Sequence, residues 1–203
     1  MRRFSWWLAS LALLLLSGCG YNAMQAADEQ VTAAWSEVLN QYQRRADLVP
    51  NLVSTVQGYA SHESQVFAQV TEARGRVGQI QLSADDLSDP VRVQQFQQAQ
   101  GQLSSALSRL LVVAENYPQL KADGLFRDLL TQLEGTENRI AVARQRYVQA
   151  VQQYNVLVRQ FPGVITAKVF GYQPKANFSV ADEAAISTAP TVNFGGATAP
   201  SSP

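Results

Sequence analysis

One pattern constrains this chain more than any other: from Met24 to Ile80 an apolar residue returns every three or four positions. The series runs Met24, Ala27, Val31, Trp35, Val38, Tyr42, then Val49, Leu52, Val56, Tyr59, then Val66, Val70, Ala73, Val77 and Ile80. That spacing puts all of them on one stripe of an α-helix, and a stripe this long must face other helices to leave water, as in a bundle. Two register positions are polar, Arg45 and Glu63. Pro50 interrupts the pattern, because it lacks a backbone donor and its ring crowds the carbonyl of Ala46. The sequence leaves three options open: a kink at Pro50, a new helix with Pro50 in its first turn, or a break at Gly58, Ser61 and His62.

Two further helices follow. Residues Gln81 to Pro90 hold Ser83, Asp85, Asp86, Ser88 and Asp89, which are turn and cap formers, and Pro90 suits a first helical position. A helix then runs to about Tyr117, with Phe96, Ala99, Leu103, Leu107, Leu110, Val113 and Tyr117 on one face. Gln94, Gln95, Gln97, Gln98, Gln100 and Gln102 read as its solvated outer face, with a prion-like or binding role for the cluster as the alternative. Asn116-Tyr117-Pro118 marks a break, since a proline disfavours helix in the residue before it. The last helix begins between Gln119 and Asp123 and reaches about Phe161. Its seam is Leu125 or Phe126, Leu129, Leu133, Ile140, Ala143, Tyr147, Val151, Tyr154, Leu157 or Val158, and Phe161, and Pro162-Gly163 stops it. Short connections make neighbouring helices antiparallel. The expected fold is all-α: an elongated antiparallel helical bundle of three to four long helices over residues 19–163, with an irregular or disordered C-terminal tail over 164–203. Val164-Ile165 and Val169–Tyr172 form an apolar segment suited to folding back on the bundle end. From Ser179 onward Ala, Ser, Thr, Pro and Gly dominate, a composition that cannot bury enough surface to order itself.

The first 18 residues are of another kind. Arg2 and Arg3 precede an apolar run from Trp6 to Leu16, too short for a comfortable membrane span, and Leu16-Ser17-Gly18 leads into the chain's one cysteine, Cys19. This is the layout of a lipoprotein signal peptide (residues 1–18), cleaved after Gly18, with lipidation of Cys19 by palmitate-type acyl chains. Several chains on one residue give stable anchoring where one does not. The expected location is the periplasmic side of a membrane. Gly20, rather than Asp, after the cysteine points to the outer membrane in a Gram-negative cell, and otherwise to the extracytoplasmic face of the cell membrane. Removing the two leader arginines leaves 14 basic side chains against 16 acidic ones, a net charge of −2.

Composition excludes several function classes. A whole-chain net charge of zero gives no cationic surface for nucleic acid. One cysteine cannot form an internal disulfide framework, and one histidine, His62, leaves little for metal or acid–base chemistry. His62 and Glu63 are adjacent, so on a helix they point apart. Gly75 and Gly78 are isolated, and no serine sits in a Gly-x-Ser-x-Gly elbow. No catalytic, cofactor-binding or metal-ligating set is expected, and no cofactor. The polar candidates are Arg45, Asp47, Glu63 and Asn155. A buried Arg45 must be paired, with Glu134, Glu137 or Asn155 in reach of the register, or else it contacts an anionic lipid or a peptide carboxylate. Glu63 suits a cap or a pair at a bend. Trp35 and the tyrosines at 42, 59, 117, 147 and 154 fall at seam spacing, which suits core positions more than the alternative of a clustered ligand pocket.

Several blocks are similar to those of the LemA family: Tyr21-Asn22, Val31 with Trp35-Ser36, Gln41–Arg45, Asp47–Val53, Tyr59-Ala60, His62-Glu63, Ala73-Arg74, Tyr154-Asn155 with Phe161-Pro162, and Pro190–Phe194. The resemblance spans roughly residues 21 to 194 and is most specific at Asp47–Val53. It implies a membrane-anchored antiparallel helical bundle, and it departs from many relatives in having a lipobox instead of a transmembrane anchor. The function expected from all this is a non-enzymatic envelope lipoprotein, a scaffold or protein-interaction module at the membrane surface. Its partners would be membrane lipid through Cys19 and envelope proteins of unknown identity, with no nucleic acid. The alternative is an envelope enzyme or enzyme accessory that binds lipid or cell-wall fragments near Arg45. A third reading is a homo-oligomer formed through the apolar seam.

Overall fold

The computed structural model describes residues 2–178, with side chains placed from Gly20 onward. The side chain of Cys19, the leader side chains, and the tail from Ser179 with its Pro190–Phe194 block lie outside the described residues.

Helix α1 (Arg2–Tyr59) runs unbroken through Pro50, so the first break falls in the turn Ala60–Glu63, before α2 (Ser64–Gln79). Pro50 is tolerated because the carbonyl it orphans, that of Ala46, has found another donor. Arg74 on α2 donates its Nε hydrogen to that oxygen at 2.9 Å. The linker after α2 contains a 3-10 turn, Asp85–Ser88. Asp89 then caps α3 (Pro90–Glu115) by accepting from the amides of Val91 and Arg92, with Pro90 at the first helical position as the sequence predicts. After the short α4 (Pro118–Ala122), Asp123 caps α5 (Gly124–Arg159) by accepting from the Phe126 amide at 2.9 Å. Phe126, not Leu125, is the buried member of its pair, and Val158 is buried where Leu157 is only half covered.

Two expectations about the C-terminal end need correcting. Phe161 is not a seam residue: it lies beyond α5 and is 79% exposed. The segment read as irregular begins with a helix, α6 (Gly163–Phe170). Gly163 makes the reversal possible, because a Cβ there would stand 2.4 Å from the Leu157 carbonyl oxygen and 3.0 Å from Met24 Cε. Gly171, at φ 78°, ends α6 in the left-handed conformation.

The long helices alternate in direction. Trp35 meets Tyr147 and Met24 approaches Gly163, so α5 descends beside the ascending α1. Arg76 pairs with Gln102 and Arg109 with Gln69, so α2 and α3 are also antiparallel. The core is in two parts. A lower cluster gathers Met24 to Tyr42 of α1, Leu82, Leu87, Val93 and Phe96, Ile140 to Val158 of α5, and Ala167. An upper cluster gathers Val49 to Ala60, Phe67 to Ala73, Leu103 to Ala114, Leu120, and Phe126 to Leu133.

Below Trp35 the α2–α3 pair no longer covers α1 and α5, and the extended segment Gly171–Phe178 takes its place. It is held by backbone and side chain alike. Asn155 grips Lys175 at both its amide and its carbonyl, each at 2.8 Å, and the hydroxyls of Tyr147 and Tyr154 donate to the carbonyls of Ala176 and Gln173. The Ala176 amide donates to the Leu87 carbonyl at 2.7 Å, and Lys175 pairs with Asp28 at 2.7 Å. Phe178 closes over Trp35 and Tyr147.

Candidate functional site

The two core clusters are separated by a belt of polar side chains one helical turn deep. Arg45 lies between Tyr42 and Val49 on α1, Gln100 between Phe96 and Leu103 on α3, and Thr136 and Glu137 between Leu133 and Ile140 on α5. Arg45 is 1% exposed, so its charge has to be met inside the protein. Its Nη1 donates to Glu137 Oε1 at 3.0 Å and to Ser104 Oγ at 2.7 Å, and its Nη2 donates to Gln100 Oε1 at 2.6 Å and to the Gln100 carbonyl at 3.2 Å. The guanidinium carbon sits 5.0 Å from the centre of the Tyr42 ring, while Nε has no hydrogen-bond partner among the described residues. Burial raises the Tyr42 hydroxyl pKa against the lowering influence of Arg144 and Arg45. Glu137 keeps 44% of its side chain in solvent, so the pair is buried at one end only.

Beside Glu137 the belt opens into a cleft between α2, α3 and α5, with a volume of about 960 Å³. Arg76, Arg109 and Arg144 stand around it with Arg45 in its floor, opposed by Glu72 and Glu137, which makes its lining net positive by two. Six glutamines, Gln69, Gln94, Gln97, Gln98, Gln100 and Gln102, supply nearly half of the rest. Amides donate and accept at once, so this wall can hydrogen-bond an extended backbone without fixing its side chains. Arg45 itself offers no open contact, since both of its terminal nitrogens are occupied.

The other sequence candidates go elsewhere. Asp47 is exposed and accepts from Gln43 on the same helix at 2.8 Å. Asn155 serves the C-terminal segment and not Arg45, so of the proposed partners only Glu137 meets the arginine. Glu63 stands at the N-terminus of α2, but its side chain makes no cap; its backbone carbonyl accepts from Val66 and Phe67 instead. His62 is exposed in the same turn. Among the aromatic candidates Trp35, Tyr42, Tyr147 and Tyr154 are core, whereas Tyr59 is 42% exposed and donates to Asp123.

Sequence reasoning missed three residues. Gln100 is 4% exposed, not part of a solvated face. The signal was present, since it lies four residues after Phe96 and three before Leu103, within the seam. Ser104 carried no comparable signal and Arg74 stood out only within the Ala73-Arg74 block, because the role of each depends on which helix lies beside it.

A family model described as the LemA family matches residues 34–194. Magnetosome protein MamQ 1 of Paramagnetospirillum magneticum is 26% identical over 182 residues, covering 82% of this chain and 66% of the relative. Magnetosome protein MamQ of Magnetospirillum gryphiswaldense is 26% identical over 169 residues, 75% of this chain and 62% of the relative. Protein LemA of Metamycoplasma hominis is 25% identical over 140 residues, 69% of this chain and 57% of the relative. The chain thus spans less than two thirds of the length of these relatives.

Proposed function

This chain belongs to the LemA family, and from that premise we propose that it is a non-enzymatic lipoprotein of the cell envelope whose bundle binds a protein partner through the polar cleft. The cleft carries the reading. A cavity of about 960 Å³ is at the upper end of the usual range for ligand sites, and ten of its nineteen lining residues are glutamine or arginine. Such walls suit an extended, acidic peptide segment better than a compact apolar molecule. The mature chain is slightly acidic, so a net positive patch on it is a local feature with a sign opposite to the whole. The rigid α1–α5 pair would hold that patch at a fixed distance from Cys19, the acylated anchor on the periplasmic or extracytoplasmic side.

In-cell photocrosslinking from a benzophenone amino acid at Gln98, inside the cleft, tests this. The expected result is one dominant protein adduct that Arg76→Glu together with Arg109→Glu removes, while the same probe at Gln153, on the far side of α5, gives none. Adducts that survive the charge reversal, or equal labelling from both positions, would refute the cleft as the binding surface.

A further inference from the structure

The base of the bundle has an apolar face that its own core does not use. Four of the ten exposed large apolar side chains among the described residues fall within ten positions: Phe161, Ile165, Val169 and Phe170, which are 79%, 56%, 72% and 60% exposed. On α6 the buried side is marked by Ala167, which joins the lower core. Ile165 and Val169 are one turn apart on the opposite side, with Lys168 beside them. Phe170 packs its ring 4.8 Å from that of Tyr21 and leaves its other side in the open.

The occupant of this face follows from where it lies and from its charge. A Cβ on Gly20 would be 3.5 Å from Thr166 Oγ1, so α6 lies against the residue directly after Cys19. From Arg159 to Phe178, the last described residue, the sequence contains Arg159, Lys168 and Lys175 and no carboxylate, the next acids being Asp182 and Glu183 outside the described residues. Lys175 is committed to Asp28, which leaves Arg159 and Lys168 at the bundle end. An amphipathic helix with apolar side chains on one face and cations at its edge is the composition of a segment that lies in a lipid headgroup layer.

We propose that α6 is a second membrane contact: Ile165 and Val169, with Phe161 and Phe170 at the margins, insert among lipid headgroups while Lys168 and Arg159 face anionic ones. This inference rests on the reading of Cys19 as the acylated N-terminus. The seated α6 prevents the rod from pivoting on its acyl chains, and so fixes the direction in which the cleft faces. One anchored residue alone would act as a swivel. Two contacts of different kind, covalent lipid and inserted side chains, define an orientation.

The full chain is produced in cells with a benzophenone amino acid at Val169, at Ile165, or at Val142, which is exposed on α5 about 25 Å further up the rod. All three positions are solvent-facing, so the probe leaves the core intact. After irradiation, mass spectrometry of the purified protein detects phospholipid adducts at the probe and acyl chains on Cys19 in the same sample. The expected result is phospholipid adducts at Val169 and Ile165 at least about tenfold above those at Val142, reflecting insertion to headgroup depth. Equal adducts at all three positions, or protein adducts in place of lipid at Val169 and Ile165, would overturn the inference. The two readings fail separately. Acylated Cys19 with no lipid at Val169 removes the α6 contact alone, and lipid at Val169 with a bare Cys19 removes the lipoprotein anchor while the contact stands.

Discussion

The replacement of a helical backbone bond by a side chain from another helix makes a quantitative prediction. Pro50 leaves the Ala46 carbonyl without its intrahelical donor, and Arg74 Nε fills the gap at 2.9 Å across the α1–α2 contact. Ala46 is 8% exposed, so an unmet carbonyl there would be poorly reached by water. Arg74→Met keeps much of the aliphatic stem and removes the donor, at an expected cost of about 1–2 kcal/mol, the penalty of a buried acceptor left open. For a chain of this size that lowers Tm by about 2–8 °C. In the Pro50→Ala background the position-50 amide can bond to Ala46 itself, and the same Arg74→Met change should then cost under about 0.5 kcal/mol. Pro50→Ala by itself should change stability little. The bond it restores is already replaced, and the unfolded chain regains the freedom that proline had removed. The assay is urea unfolding of the four full-length proteins in detergent micelles, followed by circular dichroism. The double-mutant cycle should show a coupling of about 1 kcal/mol. Identical losses for Arg74→Met with and without Pro50 would refute the exchange and leave Arg74 as an ordinary surface side chain.

Three other outcomes are expected. Arg45→Ala removes the centre of the belt and should cost about 3–5 kcal/mol, whereas Glu137→Gln, with its side chain 44% exposed and its amide oxygen still an acceptor, should cost about 1 kcal/mol; thermal melts compare them. Burial pushes the Tyr154 hydroxyl up to about 12, with Asp28 adding to it, and raises that of Tyr147 as well. These folded-state values stand above the unfolded one of about 10, so the associated stability is intact below pH 10 and is lost as pH rises toward 12. Tm measured against pH should fall across that window, and Tyr154→Phe should flatten the fall. Gly163→Ala forces a methyl group against the Leu157 carbonyl and should destabilise the α5–α6 corner by about 2 kcal/mol, read as faster proteolysis after Arg159 with the long helices still folded.

The helices were legible because each is written locally. Asp89-Pro90 and Asp123 announce their helices through cap chemistry that needs only the next three residues, and Met24 to Tyr42 announce the lower core through spacing alone. The short α6 was not legible as a helix. Its eight residues are too few to show a period, and β-branched Val164, Ile165 and Val169 favour extended backbone; packing of Ala167 against the lower core decides it. The site was half legible. Arg45 stood out as a charge in an apolar register, and Glu137 was among the partners that its charge required. Gln100 was hidden by its glutamine neighbours, although its seam position distinguished it from them.

Local patterns in the chain thus specify an all-α fold, the stripe by which its helices associate, where most of them start and stop, and that a buried arginine would need an anion. These are consequences of interactions within four residues, which a one-dimensional pattern contains in full. Three outcomes required the packed molecule: α1 survives Pro50, Arg45 reaches Glu137 across 92 positions, and residues 171–178 return along the bundle to complete the lower core. Each of those depends on the height at which one helix lies beside another. That height is set by the summed packing of two whole seams, to which no single local motif corresponds.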